Sequence, residues 1–381
     1  MAVGVDGFSA GLGEERLPAY VYDVSGLGEY VREIVAALAD GPEVFYAAKA
    51  NADAPVLRAV AAEVAGIEVA SGGELEHVRR LLPDARIAFG GPGKTDRELR
   101  LAARLKAERV HVESPYELRR LAEAAEGEGR DLDVLLRVNL AGDRAGAALA
   151  MSGPFGMDPG LIADCLPILA AAPRLRLRGV HAHLASGLDV PALVAQQREI
   201  LDWARPWLAR AGVTLPEINL GGGMAVDYAR PEARFDWAAY GKALSSLALP
   251  GETLRVEPGR ALTVHHGWYV TDVLDVKTAH GRAYAVVRGG THHLRTPATK
   301  NHDQPFRVLP GPRHADAPSV RDTAVTLVGQ LCTPKDVLAR DIPLPRLSVG
   351  DRVVFAMAGA YAWNISHHSF LMHPEPSFHY L

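Results

Sequence analysis

The chain has 381 residues, 48% hydrophobic and 23% charged, enough for two globular domains on the usual scale of roughly 100–200 residues each. A formal net charge of −4 supplies no basic field for a phosphate backbone, which excludes nucleic acid as an expected partner. Cys165 and Cys332 are the only cysteines, so a disulfide framework is excluded too.

The first residues, "MAVGVDGFSAGLGEERLPAYVYD", lack a basic segment followed by an apolar core. No uninterrupted apolar stretch approaches the roughly 20 residues that span a bilayer, so a cytoplasmic protein with no membrane partner is expected. "PAYVYD" reads as a strand, and Ser25 as the cap of the helix that follows it. Next comes "VFYAAKAN", an apolar strand that ends in Lys49, with "APVLRAVAAEV" as a helix behind it.

The same alternation then repeats. The strand-like runs are "GIEVAS", "RIAFGG", "RVHVES", "DVLLRVN", "LRGVHAHLASG", "EINLGGG" and "TLRVEPGR". Between them lie helical patterns such as "ELEHVRRLL", "SPYELRRLAEAAEGE" and "LVAQQREILDWARPWLARAG", apolar at three- and four-residue spacing. Cys165, within "DPGLIADCLPILAAAP", falls on such an apolar face and is assigned to the core. Eight βα units in about 240 residues predict an α/β fold of the (β/α)8 TIM-barrel kind, with a Rossmann-like open sheet as the alternative. From about Ala261 the runs become "HGWYVTDVLDVKTAHG", "AYAVVRGG", "AVTLVGQL" and "RVVFAMAGAY", separated by Pro/Gly/Asp-rich connectors. They predict a second, mainly antiparallel β-barrel domain. The expected boundaries are 24–260 for the barrel, and 1–23 with 261–381 for the discontinuous β domain.

A barrel of this kind carries its active site at the C-terminal strand ends, with a phosphate site commonly built after strands seven and eight. Chemistry-bearing residues fall there. Lys49 closes strand one, His183 and Ser186 close strand six, Gly221, Gly222 and Gly223 follow strand seven, and "EPGR", Glu257 to Arg260, closes strand eight. Successive glycines let backbone N–H groups approach an anion, and Arg260 adds a charge-assisted donor, so a phosphorylated ligand is implied. Taken singly, each has a plainer reading: a surface lysine, a satisfied core histidine, a turn, a strand-end ion pair. Their arrival at one rim favours a site.

In order along the chain, "YAAKAN", "SGGEL", "HLASG", "INLGGG", "EPGR", "GQLCTPKD" and "GAY" resemble the motif series of fold-type III pyridoxal-phosphate decarboxylases, the family of diaminopimelate, ornithine and arginine decarboxylases. The resemblance runs from "PAYVYD" to "GAY", nearly the whole chain. It implies pyridoxal 5′-phosphate as cofactor, with the alanine racemase-like barrel carrying Lys49 as its covalent attachment and His183 against its ring. Ser186, Gly221, Gly222, Gly223, Gly259, Arg260 and Tyr361 are implied at the phosphate and Glu257 at the ring nitrogen, with Glu68 and Glu74 near the lysine. Cys332 is implied to reach the active site of the partner in a head-to-tail homodimer and to act as, or position, the final proton donor. Lys49, Cys332, His183 and Glu257 form the expected catalytic set.

A carboxylate at the ring nitrogen favours the protonated ring that decarboxylation needs. A racemase of the same fold presents an arginine there, so Glu257 argues for decarboxylation. A cofactor-free regulatory homologue would be expected to lack Lys49 or the phosphate residues. Diaminopimelate and ornithine decarboxylases carry Glu or Asp directly after the active-site cysteine, to pair with a distal ammonium; this chain has Thr333. The loop "VVRGGTHHLRTPATKNHDQPF" instead concentrates His293, Arg295 and Lys300 as candidate substrate contacts with an anionic far end. "HLASGLD", that loop and "CTPKD" resemble the siderophore-biosynthesis branch, which includes the staphyloferrin B citryl-diaminopropionate decarboxylase. A citryl-diamino acid is therefore the expected substrate; free diaminopimelate, ornithine or lysine is the alternative. The loop histidines lack regular ligand spacing, so no metal is expected.

Overall fold

The computed structural model describes residues 4–142, 146–151, 153–297, 302–312 and 316–381. Two compact units separate: Gly28–Val226 with Arg234–Leu262, and Met1–Leu27 with Asp227–Ala233 and Thr263–Leu381.

The first unit is a closed barrel of eight parallel strands: Glu43–Ala47, Gly66–Val69, Ile87–Phe89, Arg109–Val112, Leu132–Arg137, Leu175–His181, Glu217–Asn219 and Thr253–Val256. The last pairs back onto the first through Arg255 with Glu43 and Val256 with Val44, so the predicted (β/α)8 architecture holds and the open sheet does not. Capping defines the helices between. Ser71, Thr95, Ser114 and Asp189 each accept a backbone N–H in the first turn, and Thr95 with Glu98 completes a reciprocal capping box. Cys165 is buried, and burial pushes its thiol up to about 12, which leaves it an inert core group.

Side chains on alternate residues of a strand share a face, and here the buried face carries charged and polar groups. Near the strand starts, Arg255 is fully buried, 2.8 Å from Glu43 and 2.8 Å from Glu217, with its guanidinium 3.7 Å above the Phe45 ring. Arg109 joins Glu217 at 2.7 Å, and Arg86 bridges Glu43 and Glu108. Burial alone would raise Glu43 and Glu108, yet hydrogen bonds from Arg86 hold both below the usual carboxylate range.

The second unit is an eight-stranded, mainly antiparallel sheet. Its long strand Gly267–Ala279 pairs antiparallel with Ala19–Tyr22, Arg282–Val287 and Arg352–Phe355. Ala19–Tyr22 is thereby an integral strand, and parallel pairing with Ser377–Tyr380 fixes its other edge. The helix that follows begins at Val24, and Asp23, not Ser25, caps it by accepting the Gly26 N–H at 2.8 Å. Both residues are good caps, and the strand's end at Tyr22 decides between them. Among the described residues, no helix is long and apolar enough to cross a membrane.

Candidate active site

The C-terminal strand ends of the barrel unit bring five sequence-predicted segments together. Lys49 follows the first strand in a short 3-10 turn, Ala48–Ala50, and its Nζ pairs with Glu68 Oε2 of the second strand at 2.9 Å. The lysine is half-exposed and the carboxylate buried. Burial raises the proton affinity of Glu68, the adjacent Lys49 charge opposes this, and Glu257 reinforces it. Ala47 N–H donates to Pro258 O, which ties the lysine's strand to the "EPGR" segment.

Glu257 is buried, accepting from Asn219 Nδ2 at 2.7 Å and lying 3.2 Å from His181 Nε2. Its N–H donates to Gly221 O at 2.8 Å, so the glycine turn and the eighth-strand exit form one structure. Gly221 N–H donates to Asn219 Oδ1 at 3.0 Å, and Gly222 N–H to His183 Nδ1 at 3.3 Å. Two of the three glycine N–H groups expected to face an anion are therefore turned on protein partners. Because His183 Nδ1 accepts, Nε2 carries the proton and donates to Ser186 Oγ at 3.3 Å. Burial, then the Lys49 charge, holds His183 down to about 3, so its ring is neutral at physiological pH. Gly259 accepts the Leu262 N–H, and Arg260 opens the helix Arg260–Thr263. Glu74 acts locally, its carboxylate accepting the Ala70 N–H at 2.7 Å while its own N–H is capped by Ser71.

In the β unit, Cys332 is exposed and lines a cleft of about 600 Å³ with Thr333, Arg282, Arg340, Tyr284 and Asp336. Asp336 organises this region. Its carboxylate accepts from Thr291 N, Thr291 Oγ1 and Leu331 N at 2.7–2.8 Å, joining the Thr291–Leu294 turn to the Cys332 turn. Thr333 Oγ1 accepts the Lys335 N–H at 3.4 Å. Arg295 is exposed, anchored by its own N–H to Ser366 Oγ. His293 lies inside the unit, 1% exposed, with its Nδ1 3.0 Å from Tyr269 Oη and its carbonyl accepting from Tyr20 Oη. Burial takes it down to about 3. Tyr361 has left-handed backbone, φ +49°, and its carbonyl accepts from Thr296 Oγ1. Lys300 lies outside the described residues.

Sequence reasoning overlooked several buried polar groups of the barrel: His111, His181, Asn219, and the Arg137–Glu113 pair at 2.7 Å. A signal existed. In "RVHVES" the residues Arg109, His111 and Glu113 alternate with valine and serine, and in "EINLGGG" Glu217 and Asn219 alternate with Ile218 and Leu220. Polar residues at period two within a fully covered parallel strand mark the barrel interior.

This donor set fits pyridoxal phosphate, which combines an aldehyde, an aromatic ring with a basic nitrogen, and a phosphate. An amine, a neutral imidazole, a fixed carboxylate and a glycine turn stand at one rim. The turn is tight: a Cβ on Gly222 would lie 2.5 Å from Glu257 O, and one on Gly223, at φ +110°, 2.5 Å from Ala185 O.

Comparison with known proteins agrees. Residues 27–264 match the family model described as "Pyridoxal-dependent decarboxylase, pyridoxal binding domain". The chain is 41% identical, over 95% of its length and 93% of the relative's, to the 2-[(L-alanin-3-ylcarbamoyl)methyl]-2-hydroxybutanedioate decarboxylase of Staphylococcus aureus. It is 29% identical to the L-glutamyl-[BtrI acyl-carrier protein] decarboxylase of Niallia circulans, over 94% of this chain and 87% of that one. Among solved structures, the diaminopimelate decarboxylase of Helicobacter pylori complexed with L-lysine superposes with a TM-score of 0.85 at 23% identity, covering 96% of this chain and 91% of that one; this likeness speaks to the fold.

Proposed function

Because the chain belongs to the pyridoxal-dependent decarboxylases, we propose that it removes the α-carboxylate of an amino acid whose far end is a citrate-type polycarboxylate joined through an amide, as an intermediate of carboxylate-siderophore assembly would be. When bound, pyridoxal phosphate supplies an electron-poor ring that accepts the pair released as the Cα–carboxylate bond breaks. In this reading Lys49 would hold the cofactor covalently through Nζ, an atom that Glu68 positions. His183 offers an uncharged ring face. Glu257 meets the ring nitrogen, while Ser186, the Gly221–Gly223 turn, Gly259 and Arg260 serve the phosphate. Tyr361 and Cys332 keep the roles that the family resemblance gives them: phosphate contact, and proton delivery to the site of a second copy in a homodimer.

The observation that carries the substrate class is the chemistry of the cleft beside Cys332. The residue next to the cysteine is a neutral threonine, and the charged lining consists of Arg282, which also pairs with Asp341, Arg340, which also pairs with Asp303, and a buried Asp336 whose oxygens already accept three hydrogen bonds. A free distal ammonium would be desolvated there beside two guanidinium groups, with no carboxylate oxygen of the lining left free to pair with it, at a cost of several kcal/mol. Carboxylates would meet guanidinium groups, with Arg295 as a further candidate. The compound for which the S. aureus relative is named has this character, an alanine whose β-nitrogen is acylated and whose far end bears a hydroxyl and two carboxylates. The test is CO₂ release from that compound beside diaminopimelate, ornithine and lysine. Turnover of the citrate-type amide, at least about a hundredfold above the free diamino acids in kcat/KM, is expected, since burying one unpaired charge costs that much. Efficient turnover of an unmodified diamino acid with none of the amide would overturn the reading.

A further inference from the structure

Glu257 is held by two donors from two different strands. Oε1 accepts from Asn219 Nδ2 at 2.7 Å, and Oε2 lies 3.2 Å from His181 Nε2. The amide of Asn219 cannot turn over without loss, because its oxygen takes the Gly221 N–H at 3.0 Å. One asparagine thereby sets the carboxylate and the glycine turn together. His181 is buried, and its ring stacks on that of His111 at 4.3 Å between centroids, 13° from parallel. Among the described residues, His181 Nδ1 and His111 Nε2 find no hydrogen-bond partner.

The unpaired Nδ1 settles the tautomer of His181. A proton there would be buried without an acceptor and would leave the Nε2 lone pair facing a carboxylate, two penalties at once. The proton therefore sits on Nε2 and is donated to Glu257. Burial drives the proton affinity of both His181 and His111 well below the ordinary histidine range, so the donor carries no charge. A cationic partner would cancel the field of the carboxylate, whereas neutral N–H donors hold its oxygens in place and add no opposing charge.

From this geometry we infer that His181 and Asn219 are positioning residues for the reaction, fixing both oxygens of Glu257 and preserving its full negative charge toward the ring nitrogen of the cofactor. The inference rests on the reading that places Glu257 at that nitrogen. His111 supports it from behind by fixing the plane of the His181 ring.

The experiment uses holoprotein carrying pyridoxal phosphate labelled with ¹⁵N in the ring, whose chemical shift reports protonation directly. His181→Phe keeps the stacked ring and removes the donor; His181→Gln restores an N–H. In wild-type protein the ring nitrogen should be protonated. H181F should shift it toward the unprotonated value and lower kcat at least about tenfold with KM changed less than about threefold, because the lost stabilisation belongs to the transition state. H181Q should recover most of both. Should H181F fail to fold, Asn219→Ala is read in the same way. An unchanged ¹⁵N shift in H181F and N219A while Glu257→Gln moves it would overturn the inference alone; an unchanged shift in E257Q as well would overturn the placing of Glu257, and the inference with it. A ring nitrogen of His111, one of His181 and a Glu257 oxygen lie within 4.8 Å of one another, close enough to share a cation. One tightly held divalent metal per chain in the active holoprotein would also overturn it.

Discussion

Lys49 is a half-exposed ammonium paired to a carboxylate that is itself buried. Removing the lysine leaves Glu68 with an unpaired charge or a proton, and burial already favours the proton. Borohydride reduction of the holoprotein followed by peptide mapping should therefore place the pyridoxyl mass on Lys49, and Lys49→Ala should hold cofactor only loosely enough for dialysis to remove it. A different labelled lysine would sink the assignment. Arg295 is exposed, in a loop whose His292 and His293 are buried, so its truncation should leave folding nearly intact. Arg295→Ala is expected to raise KM for the citrate-type amide about tenfold while kcat changes little, as loss of one charge-assisted contact made equally in ground and transition states would do. Steady-state kinetics on the amide and on lysine separates this from a general loss.

Strands were legible wherever local pattern decides them. The eight parallel runs and the chemical residues at their ends can be read because a buried strand is a short apolar run, and its exit is where polarity returns. The polar interior was harder to see: His111 and Asn219 sit in runs that satisfy the strand pattern whichever face they occupy. The basic loop misleads by composition. His292 and His293 are 0% and 1% exposed because Tyr20, far away in sequence, and Tyr269 hold the His293 turn inside the sheet. No local pattern contains that pairing. At the opposite strand ends of the barrel, Arg255 links elements from both ends of its sequence, Glu43 and Glu217. Arg255→Met should remove the one cation these carboxylates share at zero exposure, and cost about 3 kcal/mol in urea unfolding, the usual scale for stripping one partner from a buried ion network. A loss under about 0.5 kcal/mol, the size of an ordinary surface change, would show that Arg86 and Arg109 suffice.

Over the whole molecule, burial of histidines sets the acid response. His183 and His293 are held down to about 3 and His292 to about 4, and His111 and His181 well below their ordinary value, in each case first by burial. Between those values and the unfolded value of about 6.5, the unfolded chain binds protons that the folded chain does not. Stability therefore falls as pH drops below about 6.5, by up to about 1.4 kcal/mol per pH unit for each such histidine. Glu68, Glu117 and Asp336, raised by burial, act in the opposite sense and reduce the net fall. Denaturant midpoints at pH 7, 6 and 5 should decline steadily; a flat profile would show that these rings are protonated in the folded state.

Assembly is tested at the same scale. Cys332 is an exposed thiol on the β unit, in a turn that Asp336 holds rigid through Leu331 and Thr291, as a group presented to another surface should be. If it completes the site of a second copy, Lys49→Ala and Cys332→Ala damage opposite contributions to each shared site. Either homodimer is then inactive at both of its sites. A mixed dimer instead gathers both lesions into one site and leaves the other with an intact lysine and an intact cysteine. Random exchange makes about half of all dimers mixed, each with one working site in two, so mixing the two proteins should recover about a quarter of wild-type activity. The dependence on exchange is the safeguard: activity should appear at the rate at which subunits mix, followed by a mass tag on one variant, and should be absent at time zero. Full mixing with no recovered activity would show that each chain builds its site alone, and Cys332 would then need another role.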